Sequence, residues 1–339
     1  MTNDIQEGLM RKTFIFAAVL IISALFGNSD TNSPPLQNPR PWEWKPAAAF
    51  GGPPTWFSAA FTIGDKAYVG TGYNAKNEFW QYDSGRDAWT RKADHPGKIR
   101  GAAVAFSIGE KGYLGLGYGD ENRFADLWEY DPSADRWTQK ASLPAAVRDH
   151  CAVFAIGSKA YVVGGMTCQG EDCHELKEVW EYDPRADSWT RKADMPETIV
   201  WTGYFVLNGK GYIGGGPRQP KIANHFWEYD PHADKWTQKA EFSGPGRFRA
   251  VGFSLQGKGY ISTGIESLGD KTARVLNDLW EYDPRTNAWT QGPAFSGPAR
   301  GSAVCFVIGS RVYIGTGTNS NRDLLRDFWW AEPLSAGKR

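Results

Sequence analysis

One phrase recurs along this chain and governs what it can fold into. It reads FWQYDSGRDAWT from Phe79, LWEYDPSADRWT from Leu127, VWEYDPRADSWT from Val179, FWEYDPHADKWT from Phe226 and LWEYDPRTNAWT from Leu279. Its first Trp falls at 80, 128, 180, 227 and 280, and again at 329; a second Trp follows nine residues later at 89, 137, 189, 236 and 289. A Tyr-Gly phrase precedes each one: KAYVGTG to Gly72, KGYLGLG to Gly117, KAYVVGG to Gly165, KGYIGGG to Gly216, KGYISTG to Gly264 and RVYIGTG to Gly317. A unit of about 50 residues that exposes its own aromatic face cannot be stable alone, so neighbouring copies must stack. The 39 Gly and 16 Trp fit many short strands joined by tight turns and argue against long helices.

Within a repeat, short apolar segments rich in small residues, such as AAVAFSIG (102–109) and SAVCFVIG (302–309), suit strands crowded at an axis. The Trp-x-Tyr-Asp segment alternates large apolar with polar residues, as a half-buried strand does. Asp-Pro then forms the turn into the last Trp strand. These motifs resemble the kelch family. The match runs from Trp42 to Pro333, with a strict Gly doublet only at Gly164-Gly165 and Gly214-Gly215. The resemblance implies an all-β, six-bladed propeller of four-stranded blades. The last repeat has a first Trp but no second one. Trp44 lies nine residues before Pro53, as Trp289 lies nine before Pro298, so PWEWK is expected to supply the outer strand of the last blade and close the ring. The propeller then spans 41–333, followed by a tail at 334–339.

Upstream, FIFAAVLIISALF (14–26) follows Arg11 and Lys12, with small residues near Gly27. A basic start, a short apolar run and small residues describe a signal peptide over 1–27; Met10 offers a cleaner start than Met1. The run is short for a spanning helix, which needs roughly 20 residues. The polar, Pro-rich stretch 28–40 reads as a linker. The expected location is therefore outside the cytoplasm, periplasmic or extracellular, with no membrane insertion once the signal is removed.

Twelve of the 16 Trp and eleven of the 14 Tyr belong to the repeat lattice and need no functional explanation. The loops do: 73–78, 118–126, 166–178, 217–225, 265–278 and 318–327 differ in length and content. Thirteen residues before each repeat Tyr stand Thr55, Arg100, Arg148, Ile199, Arg247 and Arg300; eleven before stand Phe57, Ala102, His150, Trp201, Arg249 and Ser302. The two repeats without Arg at the first position carry Trp56 and Trp201 instead. A ligand-binding mouth built from Arg100, Arg148, Arg247, Arg249, Arg300, Trp56, Trp201 and His150 is expected. Arg forks suit carboxylate or phosphate, and Trp faces suit sugars. The competing reading is that these Arg belong to the repeat and bond loop carbonyls. Cys168 and Cys173, on one loop of an exported chain, are disulfide candidates. Cys151 and Cys305 fall in opposite blades and are expected as buried free thiols. His95 and His232 are expected to be solvated.

Lys+Arg and Asp+Glu are both 38, so no global field attracts nucleic acid. No nucleophile motif, phosphate loop, metal-ligand run or cofactor signature stands out, and no cofactor is expected. The expected function is binding, by a monomer, of an acidic carbohydrate or a protein. The six repeats and signal peptide also resemble the sialic acid mutarotases, a kelch family that does acid/base work at an anomeric centre with a carboxylate and an Arg. The carboxylates available for such work are Asp149, Glu171, Glu175 and Glu266. Galactose oxidase, a kelch-containing copper oxidase, is a more distant alternative, since its family uses seven blades and extra domains.

Overall fold

The structure, a computed structural model, describes residues 42–120, 122–215, 224–269 and 272–333. The expected signal peptide (1–27), linker (28–40) and tail (334–339) lie outside the described residues. Within them, all regular structure is β, in six four-stranded antiparallel blades. Blade 1 runs Ala59–Ile63, Lys66–Gly70, Phe79–Asp83 and Ala88–Lys92 from axis to rim. The innermost strands of blades 2 to 6 are Val104–Ile108, Ala152–Ile156, Gly203–Leu207, Val251–Leu255 and Val304–Ile308. Each packs on its two neighbours, and blade 6 packs on blade 1.

The repeat phrases explain how each blade holds itself and the next. The second-strand Tyr stacks on an inner-strand Phe of the same blade, as in Phe61–Tyr68 at 5.2 Å and Phe306–Tyr313 at 5.1 Å. The third-strand Tyr donates its hydroxyl to an Asx in the following turn, as Tyr130 does to Asp135 at 2.6 Å. That Asx accepts the amide of an Ala beyond the previous blade's outer strand (Ala93, 3.0 Å), and the outer Trp137 donates to the same residue's carbonyl at 2.9 Å. The same staple recurs at Asp87/Trp89 on Ala48, Asp187/Trp189 on Ala141, Asp234/Trp236 on Ala193 and Asn287/Trp289 on Ala240. The six apolar cores therefore lie between blades, one at each interface.

Closure follows the expected plan. Lys45–Ala47 pairs with Phe328–Ala331, in the register Lys45↔Trp330 and Ala47↔Phe328. Trp44 is buried and meets Phe295 edge to face at 4.8 Å, as Trp289 meets Phe242 at 5.0 Å.

Candidate binding site at the end of the propeller axis

The loops leading into the innermost strands all open at one end of the ring. There the residues eleven before each repeat Tyr form a closed circle. Phe57, Ala102, His150, Trp201, Arg249 and Ser302 all adopt φ between 53° and 59°. This left-handed turn lets each amide reach the carbonyl of the preceding blade: Ala102 to Phe57 at 3.0 Å, His150 to Ala102 at 3.1 Å, Arg249 to Trp201 at 2.7 Å, Ser302 to Arg249 at 3.0 Å and Phe57 to Ser302 at 3.2 Å. Among the described residues, only the step from blade 3 to blade 4 lacks such a bond. There the rings of His150 and Trp201 meet edge to face at 5.3 Å.

The Arg positions divide. Arg100, Arg148, Arg247 and Arg300 are 0–1% exposed. Arg300 donates through Nη1 and Nη2 to Asp327 at 3.0 and 2.6 Å, and its Nε and Nη1 also reach the carbonyls of Pro298 and Thr316. Arg100 grips Asp126 in the same way; Arg247 grips Asp278, and Arg148 pairs with Glu178. Burial pushes the carboxyls of Asp126, Glu178 and Asp327 up, but the Arg beside each outweighs it and holds them below the ordinary range. These four Arg were expected in a ligand-binding mouth; the structure buries them as blade pins, because a carboxylate just ahead of each repeat Trp takes up the fork. Blades 1 and 4 have Thr55 and Ile199 in the same buried place.

Arg249, Trp56, Trp201 and His150 do come together, across the axis. The Arg249 guanidinium lies over the rings of Phe57 (5.0 Å), Phe248 (5.4 Å), Trp56 (5.6 Å) and Trp201 (5.7 Å). It is half-buried, and no carboxylate among the described residues pairs with it. Burial pushes it down to about 10, so it is still a cation at neutral pH. Phe57 of blade 1 reaches His150 of blade 3, edge to face at 4.6 Å. Tyr73 and Tyr118 extend the aromatic wall. Burial pushes the Tyr73 phenol well up, so it stays protonated.

Asp149, 1% exposed, organises the polar side of the cluster. Its Oδ1 meets His150 Nδ1 at 2.9 Å and its Oδ2 meets Arg123 Nε at 2.9 Å. A carboxylate only accepts, so Nδ1 carries the imidazole proton and Nε2 is left as a bare acceptor. Burial pushes the His150 imidazolium down, against the pull of Asp149. Four buried polar atoms of the axial circle have no protein partner: His150 Nε2, Trp201 Nε1, Arg249 Nε and Ser302 Oγ. Buried polar groups are normally bonded, so four orphans on one ring leave hydrogen-bonding capacity unused at the axis. A hydroxyl suits them, since it donates one bond and accepts two.

Arg123 was missed from the sequence; it sits in the variable loop 118–126, whose hairpin carries it beneath Asp149. The other candidate carboxylates stand apart. Glu266 pairs with Arg274 at 2.6 Å across its own hairpin, and Glu175 accepts from Thr198 at 2.9 Å. Cys168 and Cys173 are disulfide-bonded across the hairpin Met166–Gln169/Asp172–Glu175. Met166 at its base exchanges backbone hydrogen bonds with Asp149. Cys151 and Cys305 are free, and burial pushes the Cys151 thiol up to about 12. His95 is not solvated as expected: it is 1% exposed beneath Trp137, in the slot that holds Phe50, Phe242 or Phe295 in other blades. No group of three or more His, Cys, Asp or Glu placed to hold a metal occurs among the described residues. No helix there is long and apolar enough to cross a membrane.

The fold and its repeats define a six-bladed kelch-type β-propeller. A family model described as the Kelch motif matches residues 148–196, which include Arg148, the Asp149–His150 pair and the disulfide hairpin. Weaker similarity points to particular proteins. N-acetylneuraminate epimerase of Shigella sonnei (strain Ss046) is 31% identical over 80 residues, 24% of this chain and 22% of that protein. N-acetylneuraminate epimerase of Escherichia coli (strain K12) matches to the same extent. The chain thus matches only about a fifth of the length of these curated relatives. The solved structure of YjhT superposes with a TM-score of 0.72 over 83% of this chain and 95% of that one, at 17% identity, which is a likeness of fold.

Proposed function

We propose that this protein is an exported, monomeric binding protein that takes an acidic carbohydrate at the axial end of its propeller. The ligand carboxylate meets Arg249, and its ring lies against the indoles of Trp56 and Trp201. The observation that carries this reading is Arg249 itself. Four other lead-in Arg each have a carboxylate partner, whereas Arg249 lies half-buried in an aromatic cage with none among the described residues. A caged cation of this kind is completed by an anion. The Cys168–Cys173 disulfide supports an oxidising compartment. N-acetylneuraminate, glucuronate and galactose should be titrated by calorimetry against the signal-free protein and Arg249→Gln. The expected result is binding of the acidic sugars alone, weakened at least about tenfold in the variant. Equal binding by both proteins, or none by either, overturns the reading; the latter would turn the search toward a protein partner for the variable loops.

A second reading, anomer exchange on the bound sugar, is favoured by one observation: the Asp149–His150 pair in the same cluster. The relatives' name, N-acetylneuraminate epimerase, points the same way.

A further inference from the structure

We propose that His150 is the proton-accepting catalytic residue of the axial site, with Asp149 as its positioning residue. The inference rests on the reading that a carboxylate-bearing sugar docks at Arg249. Its basis is geometric. Asp149 Oδ1 fixes the tautomer by accepting from Nδ1, and Arg123 holds Asp149 through Oδ2. Nε2 is buried without a protein partner, in the circle that also holds Arg249. A neutral imidazole with an oriented, unpaired nitrogen beside an unpaired cation has the layout of a general base next to an anion anchor.

The groups facing the imidazole are few: Asp149, Arg123 and Arg249 are the charged ones, and the rings of Phe57 and Trp201 cross it edge to face. Trp201 comes from blade 4, at the one step of the circle that lacks a backbone hydrogen bond among the described residues, and its own Nε1 is also buried without a protein partner.

The proton balance closes without a co-reactant. Nε2 takes the proton of the anomeric hydroxyl, whose O–H electron pair becomes the second carbon–oxygen bond of the open-chain carbonyl. The bond from the anomeric carbon to the ring oxygen breaks, its pair stays on that oxygen, and water protonates it. The imidazolium returns its proton to water. Reclosure on the other carbonyl face gives the second anomer.

The test is anomer exchange of N-acetylneuraminate followed by NMR, with binding measured separately by calorimetry, in wild type, His150→Gln and Asp149→Asn. Wild type should accelerate exchange, with a rate that falls on acidification below pH 6.5, the ordinary His value from which burial lowers this one. His150→Gln should lose about 100-fold or more in kcat while KM shifts less than about threefold. Asp149→Asn should displace the acid limb of the pH profile as well as lower kcat, which mere loss of structure would not do. Binding without acceleration in wild type, or full exchange in a His150→Gln protein that melts normally, overturns the base and leaves the carboxylate reading standing. Absence of binding overturns both.

Discussion

Gly72, Gly117, Gly165, Gly264 and Gly317 sit at φ between 89° and 105°, while the residue before each sits between 56° and 62°. The φ of 56–62° is left-handed α, which Thr71, Leu116, Thr263 and Thr316 tolerate; the φ of 89–105° that follows is open only to Gly. That is why the doublet looks degraded in the sequence yet builds one structure in these five blades. A Cβ on Gly317 would also lie 2.5 Å from the Gly301 carbonyl oxygen. The Arg spacing was equally legible, but its direction was not, because each partner lies a full loop away. A partial signal lay inside the repeats: an Asp or Glu stands two residues before Trp128, Trp180, Trp280 and Trp329, where an Arg leads the blade, and blade 4, without the Arg, has His225 there, but blade 1, also without the Arg, keeps Glu78. Arg300→Ala strips the half-exposed Asp327 of its cation and leaves the carbonyls of Pro298 and Thr316 without their donor, and should cost about 1–3 kcal/mol in a denaturant titration. Sugar affinity should be unchanged. His95 gives a pH signature. Burial lowers it to about 3, so the unfolded chain binds a proton first as pH falls below 6.5. Stability contributed by this group is complete above that pH and is lost toward pH 3, at up to about 1.4 kcal/mol per pH unit. His95→Phe should flatten that part of the stability profile; an unchanged slope between pH 6 and 4 would assign the acid sensitivity elsewhere.

Among the elements, the strand at Lys45–Ala47 was read correctly because its Trp obeys the lattice spacing, although it sits at the wrong end of the chain for its blade. Trp44→Ala should therefore cost about 3–5 kcal/mol, as for any large buried aromatic removed from a core. A loss below about 1 kcal/mol would mean that the closing strand contributes little. The hairpins at 118–123, 166–175 and 265–275 stand where the sequence shows only variable loops. Nothing in their composition shows that they are paired strands. Their bases are zipped to the lead-in loops through Gly101↔Tyr118, Asp149↔Met166 and Phe248↔Ile265, a register visible only once the ring is closed. It is this zipper that places Arg123 under Asp149.

At the scale of the whole molecule, the lattice and the axial site obey opposite logic. Between blades five outer Trp donate to the same kind of carbonyl and only the closing Trp44 leaves its indole N–H unpaired, so the sequence pattern and the packing nearly coincide. At the axis end only the backbone circle repeats, and its side chains differ in each blade: Phe, Ala, His, Trp, Arg and Ser. The aligned sequence revealed those six positions but not that four of them meet over the axis, since neighbours there come from blades one or two steps apart around the ring.

The closing strand has a consequence for how such a molecule is made. Lys45–Ala47 leaves the ribosome before any blade exists, yet its partner, Phe328–Ala331, follows every other strand of the propeller. Throughout elongation the nascent chain carries an unmatched β-edge at its front and a growing stack behind it. A message truncated anywhere before the final repeat would release a product with two sticky rims rather than a shorter ring, a substrate for quality control more than a smaller working protein.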